Sequence, residues 1–89
     1  MSKAVTYRIV NPDGLYAGLV EKLIKFANDF SSDISLSYGG RTVNFKSFMG
    51  VVSLGIPCKA DITLTADGYD ENKAIRELEK QLKALEVIQ

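Results

Sequence analysis

Ile34-Ser-Leu-Ser-Tyr38, then Gly39-Gly40, then Arg41-Thr-Val-Asn-Phe45 is the stretch on which the fold turns. Ile34, Leu36 and Tyr38 alternate with Ser35 and Ser37, which is the period of a half-buried strand. The Gly-Gly pair supplies the positive φ angles that a two-residue primed turn demands, and the flanking alternation agrees in register, so the stretch predicts a β-hairpin. Two strands alone are not stable in water. They need further strands beside them and a layer of helices over their apolar face.

Reading outward from the hairpin supplies both. Upstream, Val5, Tyr7 and Ile9 alternate with Thr6 and Arg8 and predict a first strand, stopped by the turn residues Asn11-Pro-Asp-Gly14. Leu19, Val20, Leu23, Ala27 and Phe30 then recur at spacings of three and four, predicting a helix over 16–30 in which Glu21 can pair with Lys25. Downstream, Ser47 to Leu54 is apolar and short, with a serine where a helix needs a cap and Gly55 and Pro57 to end it. Ile62, Leu64 and Ala66 alternate with Thr63 and Thr65 as a fourth strand. After the Asp67-Gly68 turn, Asp70 is expected to cap a helix over 70–86 whose apolar stripe is Ala74, Ile75, Leu78, Leu82 and Leu85. Lys73 with Glu77 and Glu79 with Lys83 are spaced for ion pairs on its solvated face. One apolar face per strand predicts an α+β fold, a two-layer open-faced sandwich. Its four-stranded antiparallel sheet carries three helices on one face, in the order βαββαβα.

Composition narrows the function. The 89 residues are expected to form one domain over 1–89, and a 46% hydrophobic content supports a modest core without metal or disulfide. Eleven basic residues balance eleven acidic ones, so no basic excess drives phosphate-backbone binding and nucleic acid is not an expected partner. Ser47 to Cys58, the longest uncharged stretch, is shorter than the ~20 residues a membrane span needs. The first residues contain no apolar signal segment, and a cytoplasmic protein is expected. The chain has no histidine at all. That removes Ser/His and Cys/His pairs, imidazole bases, histidine metal sites and phosphohistidine. Cys58 stands alone and is expected to fill space rather than to act as a nucleophile. No paired carboxylates, phosphate loop or metal cluster stands out, so neither an enzyme nor a cofactor is expected.

The chemistry concentrates in Asn44-Phe-Lys-Ser-Phe-Met-Gly-Val-Val-Ser-Leu-Gly55. Ser47 reads as a helix cap worth about 1 kcal/mol. It also reads as a serine that a phosphate could esterify, beside Lys46, and the residues alone leave both readings open. Phe48, Met49, Val51, Val52 and Leu54 are more apolar residues than one short helix buries on one side. They form either a lid on the sheet or, where some reach the surface, a docking patch for protein partners.

The order of elements and the Lys46–Gly55 stretch together resemble HPr, the histidine-containing phosphocarrier of the bacterial sugar phosphotransferase system. The resemblance covers the whole chain and includes Val43-Asn44, Gly68 and Asp70-Glu71. It implies that Ser47 is the regulatory serine phosphorylated by HPr kinase/phosphorylase, and that Leu15, Lys46, Phe48, Met49 and Val52 contact partners. The family's Gly-hydrophobic-His-Ala-Arg-Pro-Ala signature falls on Gly14-Leu15-Tyr16-Ala17-Gly18-Leu19-Val20. Tyr16 stands where the family carries phosphohistidine and Gly18 where it has arginine, so the phosphocarrier position is lost. A phenol is no equivalent relay, and Tyr16 is expected to pack at the helix start. The resemblance extends to the catabolite-repression HPr-like proteins, which lack the histidine and keep the serine. It implies a regulatory module of carbon catabolite control, with HPr kinase, the catabolite control regulator, enzyme I or other phosphotransferase-system proteins as partners. The alternative it leaves is a docking competitor or scaffold without any covalent switch.

Overall fold

The computed structural model describes residues 2–89; Met1, the first residue of the expected 1–89 domain, lies outside the described residues. The elements run β1 (Ser2–Arg8), α1 (Ala17–Ala27), β2 (Asp33–Tyr38), β3 (Arg41–Asn44), α2 (Phe48–Val52), β4 (Asp61–Asp67) and α3 (Glu71–Ala84). All pairings are antiparallel and the strand order is β1-β4-β2-β3. This is the open-faced sandwich that the alternation predicted. Gly39 and Gly40 take φ of 58° and 81° in the hairpin turn.

Register sorts the two faces of the sheet. Leu36 stands opposite both Leu64 and Val43, and Val5 opposite Leu64, so the apolar residues of the four strands share one face. Ile34, Leu36, Ile62, Leu64 and Ala66 are buried there under Leu19, Val20, Leu23 and Ala27 of α1 and Ala74, Ile75, Leu78 and Leu82 of α3, in one continuous cluster. Fully burying each leucine or isoleucine is worth roughly 1.5–3 kcal/mol, which holds the two layers together. The opposite face carries hydroxyls, with Thr6 bonded to Thr63 at 3.0 Å and Ser37 to Thr42 at 2.8 Å.

Several expectations are corrected. The first helix covers Ala17–Ala27 rather than 16–30, because its exit tightens: Asp29 N–H donates to the Phe26 carbonyl and Phe30 N–H to that of Ala27, each three residues back. Asp70 does not cap α3. Its carboxylate instead accepts from the N–H groups of Ser31 and Ser32, both at 2.9 Å, and from the Ser32 hydroxyl, which ties the start of α3 to the loop before β2. Glu77 pairs with Lys80 at 3.2 Å rather than with Lys73, while the expected Glu79–Lys83 pair forms at 3.3 Å. Glu21 and Lys25 are not among the ion pairs of the described residues. The last turn of chain was not anticipated: Val87 and Ile88 are buried, and the Val87 carbonyl accepts from Val10 N–H at 2.8 Å.

Candidate functional site

Two chain segments build the surface at which the sequence placed its chemistry. The first is the start of α1. Asn11 folds the loop by accepting from Asp13 N–H through its side chain and from Gly14 N–H through its carbonyl, both at 2.9 Å. Gly14 has φ of 69°, and a β-carbon there would stand 2.3 Å from the Ile56 carbonyl oxygen, so only glycine lets the backbone pass. Leu15 N–H then donates to that same oxygen at 2.9 Å, pinning the helix start against the loop that follows α2. Tyr16 is the N-cap residue, extended and without a side-chain cap bond; its carbonyl accepts from Leu19 and Val20 N–H. The Tyr16 ring is half exposed and lies over Gly18.

The second segment is α2. Asn44 shapes its approach, accepting from Lys46 N–H at 2.9 Å through its side chain and from Ser47 N–H at 3.0 Å through its carbonyl. Ser47 Oγ accepts from Gly50 N–H at 3.2 Å, which is the cap the sequence suggested. The apolar residues of the helix then divide. Val51 and Leu54 are buried and Val52 is half-buried against the core, whereas Phe48 is 40% and Met49 73% exposed. The short helix is therefore both lid and surface. Phe48 lines a recess of about 420 Å³ with Glu21, Ile24 and Lys25, so the outer face of α1 continues into α2.

Two of the expected partner-contact residues are placed differently. Leu15 is 6% exposed and belongs to the apolar core, while its backbone N–H is held by the Ile56 carbonyl. Lys46 does not sit free beside Ser47: its ammonium donates at 2.7 Å to the carbonyl of Phe30, in the loop between α1 and β2, a link no local pattern announces. Cys58 is half-buried and its thiol points at the Val10 carbonyl, 3.7 Å away. Among the described residues no group of three histidine, cysteine, aspartate or glutamate side chains is placed to hold a metal, and no helix is long and apolar enough to cross a membrane.

The open-faced βαββαβα sandwich is the fold of small phosphocarrier proteins. The family profile described as the PTS HPr component phosphorylation site matches residues 3–84. The histidine-containing phosphocarrier protein of Mycoplasma is 31% identical and superposes with a TM-score of 0.95, over 98% of this chain and 99% of that one. The phosphocarrier protein HPr of Bacillus anthracis is 31% identical with a TM-score of 0.85, over 99% and 98%. The catabolite repression protein Crh of Bacillus subtilis, itself an intertwined dimer with a swapped domain, is 37% identical with a TM-score of 0.73, over 89% and 90%. The chain belongs to the HPr family. Members of that family are phosphocarrier proteins rather than enzymes.

Proposed function

We propose that this protein is a regulatory HPr-like module that cannot carry phosphohistidine and is switched by phosphorylation of Ser47. The observation that carries the reading is an HPr fold in a chain without a single histidine, which nevertheless keeps a serine at the start of α2 between Lys46 and the exposed Phe48 and Met49. The Tyr16 position, where the family resemblance places the lost histidine, carries a phenol whose phosphate ester does not transfer readily. Its neighbour Gly18 has no guanidinium to steady a charge.

In this reading HPr kinase transfers the γ-phosphoryl group of ATP to Ser47 Oγ, with ADP leaving and the hydroxyl proton released. The ester would place about −1.5 to −2 charges at the edge of the apolar patch. A regulator would then read a phosphoserine next to Phe48, Met49 and Val52, with carbon catabolite control in a cytoplasmic setting as the context. Kinship with the catabolite repression protein of Bacillus subtilis supports this. The exposed Phe48 and Met49, with the half-buried Val52, favour a second reading, since such a patch can dock phosphotransferase-system proteins without modification, as a competitor or scaffold.

Intact mass after incubation with HPr kinase and ATP tests the proposal. One phosphoryl group is expected on the native chain and none on Ser47→Ala. Modification of Ser53 or Thr42 instead would move the switch, and no modification at all would leave only the docking reading.

A further inference from the structure

Away from that surface, the C-terminal end of α1, the loop after it and the side of α3 from its start to Gln81 line an open cleft of about 480 Å³. Its walls include Phe26, Phe30 and Tyr69, and its rim carries Asp29, Asp70 and Glu77 against a single ammonium, Lys73. Three aromatic rings around one opening are unusual on a chain this short. Phe26 is 38% and Tyr69 89% exposed, and neither is needed by the core. Tyr69 is nonetheless positioned, because its hydroxyl lies 3.3 Å from Ser31 Oγ, on the loop that Asp70 holds. Neither Asp29 nor Lys73 takes part in an ion pair among the described residues.

We propose that this cleft is a binding site for an arginine side chain of a protein partner. A guanidinium is the ligand that uses both kinds of wall. It is flat and weakly hydrated, so it stacks on aromatic faces, and its fork of N–H donors matches a carboxylate. Three carboxylates to one ammonium make the rim acidic, which disfavours an anionic ligand and attracts a cation. Asp29 is the carboxylate free to take the fork, since Asp70 already accepts from Ser31 and Ser32 and Glu77 is held by Lys80. The site lies on the face formed by α1 and α3 and shares no lining residue with the recess beside Phe48. It would therefore let the protein hold a second partner, or a second part of the same partner, independently of Ser47.

The test is a titration of the ¹⁵N-labelled protein with the peptide acetyl-Ala-Ala-Arg-Ala-Ala-amide, followed by amide shifts. Saturable shifts confined to the exit of α1 and to α3 from its start to Gln81 are expected. The same peptide with citrulline, neutral but of the same shape, should produce none. Tyr69→Ala should weaken binding about two- to fivefold, the worth of one exposed cation–aromatic contact, and Tyr69→Phe, which keeps the ring but loses the hydroxyl that positions it, should weaken it less. Asp29→Asn should weaken binding and Lys73→Met strengthen it; all these side chains are exposed, so the fold is not at stake. Equal binding of the citrulline peptide, equal binding of a lysine peptide, shifts that map to Tyr16 and Phe48, or no shift into the tens of millimolar would each overturn the assignment.

Discussion

The ring of Tyr16 lies across Gly18 so closely that a β-carbon on Gly18 would stand 3.0 Å from Tyr16 Cε2. The two residues are therefore one structural unit, with the aromatic ring resting where a side chain at position 18 would begin. Gly18→Ala should gain up to about 1 kcal/mol from helix propensity, but only once the ring moves aside. We expect the gain to be larger in a Tyr16→Ala background than in the native one. Chemical denaturation of the four proteins in a double-mutant cycle measures the difference. Strictly additive effects would show that the ring does not constrain position 18.

The same relationship bears on restoring phosphoryl transfer. With phosphoenolpyruvate and enzyme I, the native chain should remain unmodified, since it contains no histidine. Tyr16→His should accept the group slowly and Tyr16→His with Gly18→Arg faster, because the smaller imidazole leaves more room over position 18 for a guanidinium that steadies the new charge. Leu19 is best left in place: it is buried, and its N–H donates to the Tyr16 carbonyl at 3.0 Å. Acid-labile phosphate incorporation is the readout. A single variant as fast as an authentic HPr would mean that Gly18 has no bearing on transfer.

Asp70 makes stability depend on acid. The Ser32 hydroxyl is the largest influence on its carboxyl; burial opposes it, and the Ser31 and Ser32 N–H groups add to it, so that the carboxyl is held below the ordinary carboxylate range. A lowered folded-state value means that this stabilisation is complete above the unfolded value near 4 and is lost as pH falls through the folded one. Native protein should therefore lose stability on acidification by a larger amount than Asp70→Asn does. Denaturation midpoints collected between neutral and strongly acidic pH would reveal parallel curves if the carboxylate were idle. Ser32→Ala should fall between the native protein and Asp70→Asn, since it removes the hydroxyl but leaves the two N–H donors to Asp70.

Tyr7 gives the alkaline counterpart. Its hydroxyl donates to Glu79 Oε1 at 2.8 Å, bridging β1 to α3. Burial, then the hydrogen bond to Glu79, then that residue's charge push the phenol well above its ordinary value. The contribution is thus fully present below pH ~10 and disappears as pH rises through the folded-state value. Tyr7→Phe should cost about 1 kcal/mol at neutral pH, the worth of a half-buried hydrogen bond. It should also remove the last-titrating portion of the tyrosinate absorbance. An unchanged absorbance titration would show that Glu79 does not hold the phenol.

How much of this was legible in the amino-acid sequence differs from element to element. The hairpin was, since Gly39-Gly40 and the alternation around it are local and a slip of one residue would turn Leu36 and Val43 out to solvent. The Ser47 cap was legible for the same reason, its acceptor lying three residues from its donor. The absence of histidine decided by itself that no phosphohistidine forms. Only the tertiary structure settled which way the polar side chains turn. Asp70 had a local choice of capping α3, but Ser31 and Ser32, nearly forty residues earlier in the chain, offered two N–H groups and a hydroxyl that would otherwise stay unsatisfied. Lys46 took the Phe30 carbonyl for a similar reason, in the loop between α1 and β2. Leu15 went inward to join the apolar cluster that the packed helices and sheet form, and the cleft of Phe26, Asp29 and Tyr69 exists only where α1 and α3 come together. Periodicity reports which face of an element is apolar; the partners of its polar groups are chosen by what the folded chain brings within hydrogen-bonding reach.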